Sequence, residues 1–113
     1  MFTPWGVSDE VVAYAPGITF YGTPSHGGFR LSDERERELD VLLRDRGLSA
    51  EQARMGYAPG WYEEDCSAHA VVFAWPALFV EAGQPTGAIQ GKSERALERL
   101  RYWVGYHYER KEQ

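Results

Sequence analysis

The part of the chain richest in chemically active side chains lies between residues 60 and 69. Three consecutive acids are followed by a cysteine and, three positions later, a histidine: Glu63, Glu64, Asp65, Cys66 and His69. On a helix, Cys66 and His69 would share a face, because positions three or four apart are neighbours there. A histidine can activate a thiol as a thiolate, and a carboxylate can orient the imidazole. The pattern therefore offers one candidate activity, that of a small cysteine-dependent hydrolase or transferase.

The same residues also have a purely structural interpretation, which we favour. Cys66 precedes a very apolar stretch, and a lone cysteine in such surroundings commonly packs as a small hydrophobic residue. Carboxylates are also expected in the first turn of any helix, where the dipole favours negative charge. A catalytic role for Cys66 is therefore kept as the alternative.

A second unusual segment is the loop 23–28, which contains Ser25, His26 and two glycines. Adjacent serine and histidine side chains rarely point at each other, and catalytic triads are assembled from separate segments. We therefore interpret this segment as a turn. His26 joins His69 as a candidate base for Cys66 under the catalytic alternative.

Metal ions and cofactors are not predicted. Histidine, cysteine and carboxylate ligand types are present, but C-x-x-C and H-x-x-x-H spacings are missing. The glycine-containing loops 22–28 and 83–87 match neither a P-loop nor a dinucleotide-binding fingerprint. We expect no metal site and no nucleotide cofactor.

Length and composition indicate one domain over residues 1–113. The net charge is -5, and no stretch concentrates basic residues, so direct nucleic-acid binding is not expected. An acidic balance favours partners with basic surfaces. The chain has one cysteine, no apolar run long enough for a bilayer and no secretory signal at its start, so we expect a cytoplasmic protein that makes no membrane contact.

The predicted fold class is α+β. Residues 10–31 are rich in β-branched and aromatic residues separated by short turns, which predicts an antiparallel β-meander. Ser32 is a typical helix N-cap for a helix over residues 33–46. The apolar run favours a buried helix over residues 63–80, bent or restarted at Pro76, and Ser93 is the expected N-cap of a last helix over 93–108.

Two aromatic pairs raise a choice between a structural and a functional interpretation. The rings of Trp61-Tyr62 and of Tyr102-Trp103 cannot all be buried on one face of a helix. They either surround a wide core or form a contact patch, with rings as anchors and carboxylates setting the orientation of the partner. For the second case the expected partner-binding residues are Trp61, Tyr62, Glu63, Glu64 and Asp65.

Several motifs resemble an uncharacterised domain family of proteobacterial plasmids and phages. The motifs are Thr3-Pro4-Trp5-Gly6, Ala15-Pro16-Gly17-Ile18, Thr23-Pro24-Ser25-His26-Gly27-Gly28 and Gly60-Trp61-Tyr62-Glu63-Glu64-Asp65-Cys66. The resemblance covers roughly residues 3–80 and leaves out the last helix. It implies a protein of mobile DNA in a bacterial host cell, and carries no activity with it.

Small acidic proteins of such elements often act by binding. The leading hypothesis is therefore a protein-binding inhibitor of a host nucleic-acid-handling defence complex, of the anti-CRISPR type. Its acidic region 33–65 would meet a basic surface on a CRISPR effector or nuclease subunit. A structural module of a larger protein remains a third hypothesis.

Overall fold

The computed structural model describes the backbone of residues 1–112 and the side chains of residues 1–109. It combines antiparallel sheets with helices, which confirms the predicted α+β class. The strands are β1 (Phe2–Thr3), β2 (Gly6–Val7), β3 (Glu10–Ala15), β4 (Ile18–Gly22), β5 (Gly27–Leu31) and β6 (Trp61–Glu63). The helices are α1 (Asp33–Arg44), α2 (Ala50–Arg54), α3 (Ala68–Ala74) and α4 (Thr86–Glu112), with a 3₁₀ turn at Pro76–Phe79.

The predicted meander is present as β3, β4 and β5, and β6 adds a fourth strand to the sheet. All three neighbouring pairs are antiparallel. The β3–β4 turn passes through Gly17, whose φ of +80° lies in the left-handed region that glycine adopts at no steric cost. The first helix begins at the predicted N-cap, since Ser32 Oγ accepts a hydrogen bond from the Arg35 amide at 3.2 Å.

The helix predicted over residues 63–80 is present only as the shorter buried helix α3, and its predicted start at residue 63 is wrong, whereas the predicted restart at Pro76 is confirmed. Glu63 ends strand β6, opposite Gly28 of β5, and a turn follows before α3 begins at Ala68. Helix α3 ends at Ala74, and Pro76 begins the separate 3₁₀ turn. The chain cannot be helical at Glu63 because its backbone there extends along β5.

The last helix is longer than predicted. It begins at Thr86, where the carbonyl of Pro85 accepts hydrogen bonds from the Ala88 and Ile89 amides. Ser93 is therefore inside α4 and does not cap it. Its hydroxyl instead donates to the Phe73 carbonyl at 2.7 Å, which ties α4 to α3.

The core lies between one face of the four-stranded sheet and the helices. Phe20, Phe29 and Tyr62 face one another across adjacent strands on this side. The helices contribute Leu39, Leu43, Val71, Phe73, Leu97 and Leu100 to the same cluster. Burial of these side chains supplies most of the favourable free energy of folding.

The opposite face of the sheet is covered by the β1–β2 hairpin. Trp5, at the tip of this hairpin, makes an edge contact with Trp61 at a centroid distance of 5.7 Å. Arg30 also lies over the Trp61 ring, with its guanidinium carbon 5.2 Å from the ring centroid. Within the described residues, no helix is both long and apolar enough to cross a membrane.

Candidate functional site

The segment predicted to carry function is a strand followed by a tight turn. Strand β6 pairs with β5 through Gly28↔Glu63, and the Glu64 amide continues the pairing by donating to the Gly27 carbonyl at 2.9 Å. The chain then turns into α3. The argument that Cys66 and His69 share a helical face therefore fails, because Cys66 precedes the helix.

The expected contact patch at Trp61 and Tyr62 must be corrected. Trp61 is buried beneath Trp5, and Tyr62 is fully buried in the core. The Tyr62 hydroxyl donates to Glu36, which also pairs with Arg54. Burial raises the pKa of Tyr62 far above its usual value. Both rings point inward because successive residues of β6 face the two covered sides of the sheet.

The three acids after Tyr62 have different environments. Glu63 is only 8% exposed, whereas Glu64 and Asp65 are exposed. Glu63 Oε2 accepts hydrogen bonds from the Asp65 and Cys66 amides at 3.0 and 3.2 Å, which holds the turn. Burial raises the pKa of the Glu63 carboxyl group above its usual value. Glu63 therefore stabilises the turn after β6, whereas the side chains of the two following acids face solvent.

The first turn of the chain after β6 forms one wall of an open groove of about 630 Å³. The other walls are the end of α2 with the loop behind it and the C-terminal half of α4. We call this cavity the Glu63 groove. Its lining residues are Met55, Gly56, Tyr57, Glu63, Cys66, Ser67, Trp103, Tyr106 and His107.

Helix α4 supplies an exposed aromatic surface next to the groove, formed by Tyr102, Trp103 and Tyr106. Tyr102 and Tyr106 are 63% and 43% exposed and stack with their centroids 6.4 Å apart. Trp103 makes an edge contact with Tyr106 at 6.0 Å. We call these three residues the α4 aromatic surface. The sequence singled out Tyr102-Trp103, but nothing in it indicated that this pair would be more exposed than Trp61-Tyr62.

The environment of Cys66 differs from that of an activated thiol. Burial, followed by the nearby Glu63 and Asp65 carboxylates, raises the pKa of Cys66. Burial and Arg99 lower the pKa of His69, so its imidazole is neutral near pH 7. Sequence reasoning also missed that His107, from α4, lines the same groove as Cys66.

Three side chains of ligand type come together on the other side of Glu63. His26 Nδ1 lies 3.8 Å from Glu63 Oε1, and one ligand atom from each of His26, Glu63 and Asp65 falls within 4.8 Å of the others. His26 is held in place by its backbone, since its carbonyl accepts from the Thr23 hydroxyl at 2.6 Å. The sequence contained these ligand types, but their spacing of 37 and 2 positions matches no local metal motif.

Ion pairs neutralise some of the acidic side chains elsewhere in region 33–65. Glu38 pairs with Arg35, and Asp40 pairs with Arg44. Glu64 and Asp65, in contrast, form no ion pair within the part of the chain whose side chains are described. The turn after β6 is therefore one of several places in region 33–65 where the described acidic side chains have no ion pair.

Comparison with known proteins identifies a family but no activity. A family model described as "Domain of unknown function (DUF7007)" matches residues 1–113. The match includes the last helix, whereas the resemblance in sequence motifs covered only roughly residues 3–80. The chain matches no curated protein and no solved structure.

Proposed function

The chain belongs to the DUF7007 family, whose function is unknown, and we propose that it binds a partner protein through the Glu63 groove. The groove receives a lysine or arginine side chain from a basic surface of the partner. The observation that carries this proposal is the composition of the groove: it contains a carboxylate and several rings, and its described lining residues include no lysine or arginine.

The rings of the groove suit a cationic side chain. Tyr57, Trp103 and Tyr106 line it together with Met55. Aromatic faces attract lysine and arginine cations, and Trp and Tyr rings also pack well against their methylene stems. Aromatic residues beside a groove are typical anchors at protein interfaces.

Charge around the groove favours the same partner. Glu63 lines the groove, and the exposed Glu64 and Asp65 extend negative charge beyond its rim. The whole chain carries a net charge of -5. Complementary charge steers association and sets the orientation of the partner, while the rings supply most of the contact energy.

The groove can be tested with peptides observed by NMR. We expect an acetylated Gly-Ser-Arg-Ser-Gly peptide to shift the Trp103 indole N–H signal and the Gly56 and Tyr57 amide signals of labelled protein. The same peptide with citrulline instead of arginine keeps the shape without the charge, and it should shift these signals much less. Equal shifts with both peptides, or shifts confined to other parts of the fold, would rule the proposal out.

Two variants separate the groove from the rest of the surface. Tyr106→Ala should weaken binding of the arginine peptide about tenfold, which corresponds to the roughly 1–2 kcal/mol typical of an aromatic anchor. Phe2→Ala is the matched control, because Phe2 is 83% exposed and lies outside the groove. Glu64→Lys should slow association and reduce its dependence on salt, whereas Glu81→Lys, an exposed acid elsewhere, should not.

For the identity of the partner, we propose a host nucleic-acid-handling defence complex such as a CRISPR effector, with the chain acting as its inhibitor. Surfaces that bind nucleic acid concentrate lysine and arginine, which is the chemistry that the groove accepts. We also propose, from the resemblance of the sequence motifs, that the chain comes from a plasmid or phage, which would suit this setting. Expression of the chain in bacteria with an active CRISPR system should then restore transformation by a targeted plasmid, and Tyr106→Ala should reduce this effect. Peptide binding without any protection of the plasmid would leave groove binding in place and remove this partner.

A further inference from the structure

We propose that His26, Glu63 and Asp65 form a binding site for one divalent transition-metal ion, with zinc as the best fit. The ligand atoms are His26 Nδ1, Glu63 Oε1 and a carboxylate oxygen of Asp65, which all lie within 4.8 Å of one another. Glu63 is shared with the proposed partner-binding groove, whereas neither His26 nor Asp65 lines that groove.

An unsatisfied atom at the centre of this cluster points to a ligand. Glu63 Oε1 is buried and has no hydrogen-bond partner in the described part of the chain, although Glu63 Oε2 accepts two amides. A buried carboxylate oxygen without a donor is costly. His26 Nδ1 lies 3.8 Å from Glu63 Oε1, beyond hydrogen-bonding distance. A metal ion placed between these two atoms would satisfy both.

The distances suit a shared ion. Two ligands of a tetrahedral zinc ion, each about 2.1 Å from the metal, lie roughly 3.4 Å apart. The 3.8 Å between Glu63 Oε1 and His26 Nδ1 is close to this value, so a small rotation of the exposed histidine ring completes the geometry. An Asp65 carboxylate oxygen lies within 4.8 Å of both atoms, and rotation of this exposed side chain can bring it closer.

The backbone already fixes the three ligands relative to one another. The β5–β6 register places Glu63 opposite Gly28, two residues after His26. Thr23 holds the His26 carbonyl and amide through hydrogen bonds at 2.6 and 3.1 Å. The backbone of Asp65 is held by the hydrogen bond that its amide donates to Glu63 Oε2 at 3.0 Å. Little backbone freedom would therefore be lost on binding, and the main cost is the ordering of the exposed His26 and Asp65 side chains.

The donor set selects the class of metal. One imidazole nitrogen and two carboxylate oxygens suit zinc and its transition-metal neighbours, whereas calcium and magnesium prefer oxygen ligands alone. Three protein ligands leave a fourth position for water or another small ligand. His26 and Asp65 are exposed, so this position faces solvent.

Isothermal titration calorimetry with zinc chloride tests the site on tag-free, chelator-treated full chain. We expect one equivalent of zinc to bind and to raise the midpoint of thermal unfolding, because binding to the folded state stabilises it. His26→Ala should weaken binding tenfold or more and remove the rise in the unfolding midpoint. The His26 side chain is 54% exposed, so this variant should keep the fold, which far-UV circular dichroism verifies.

Matched variants assign the ligands. Asp65→Asn should weaken zinc binding. Glu64→Gln, which changes the neighbouring exposed acid, should bind zinc as the unchanged protein does, and so should His69→Ala. Zinc binding that survives His26→Ala, or that is lost only in Cys66→Ser or His69→Ala, would overturn the proposed site, as would the absence of any zinc binding to the unchanged chain. His26→Ala should leave the arginine-peptide shifts in place, so failure of one proposal is distinguishable from failure of the other.

Discussion

The indole ring of Trp5 packs directly on Gly28, where a Cβ atom would lie 2.3 Å from Trp5 Cη2. The same atom would lie 2.5 Å from the Tyr62 carbonyl oxygen, so both neighbours exclude a side chain at this position. Trp5 then reaches Trp61 and Tyr57, at centroid distances of 5.7 and 5.5 Å. The missing side chain of Gly28 is therefore what allows the β1–β2 hairpin to cover the outer face of the sheet.

Replacing Gly28 with alanine should displace Trp5 and destabilise the fold. A methyl group cannot be accommodated without moving the indole ring and the β6 backbone, and overpacking of this kind costs roughly 1–3 kcal/mol. Gly105→Ala is the matched control, since no described atom outside its chain neighbours and its own helical turns lies within 4 Å of the added Cβ position. Alanine stabilises a helix relative to glycine by roughly 0.5–1 kcal/mol, so this variant should not be destabilised. Urea unfolding followed by tryptophan fluorescence measures both, and a Gly28→Ala variant as stable as the unchanged chain would contradict this packing.

Tyr62→Phe should lower the free energy of unfolding by about 1–2 kcal/mol, because it removes a buried hydrogen bond to Glu36. The raised pKa of Tyr62 also predicts a pH effect. Stability from the un-ionised hydroxyl is complete below about pH 10, where an unfolded tyrosine titrates, and is lost as pH rises above it. The free energy of unfolding, measured with urea between pH 8 and 11, should therefore fall more steeply with rising pH for the unchanged chain than for Tyr62→Phe. Tyr102→Phe, an exposed control, should retain the steep fall.

Local signals in the sequence were sufficient for the meander and for α1, but not for the β1–β2 hairpin. Turn residues such as Gly17 and the N-cap Ser32 act over a few positions, so the meander and α1 could be predicted. Strand β6 has only three residues, and it is defined by its hydrogen bonds to β5, more than 30 positions earlier. Alanines and valines downstream favoured a helix, and no local pattern marked where it would begin.

The candidate site depends on contacts that are even further apart. The Glu63 groove joins the chain around Tyr57, the turn after β6 and helix α4 near Tyr106, which only tertiary packing brings together. Burial of Trp61 depends on Trp5, from the hairpin at the start of the chain. The acids at 63–65 were identified from their sequence, but their division into one buried and two exposed residues follows from the register of β6.

Ser93→Ala distinguishes a partly buried hydrogen bond between two helices from a helix N-cap. The Ser93 hydroxyl donates to the Phe73 carbonyl at 2.7 Å, so its loss should cost about 1 kcal/mol while the helical signal in far-UV circular dichroism stays unchanged. Ser25→Ala, in an exposed loop, should have no measurable effect. A marked loss of helical signal in Ser93→Ala would instead support the original N-cap prediction and contradict the start of α4 at Thr86.

The cysteine-dependent alternative can be tested through the reactivity of Cys66. Iodoacetamide reacts with the thiolate, and a pKa that burial and two carboxylates raise leaves less thiolate near neutral pH. We therefore expect Cys66 in the folded chain to be labelled more slowly at pH 7.5 than Cys66 in the chain unfolded in urea. Mass spectrometry over time measures both rates, and Cys66→Ser shows that no other residue is modified. Faster labelling of the folded chain would mean that an activating base reaches the thiol, with His107 as the first residue to replace because it lines the same groove.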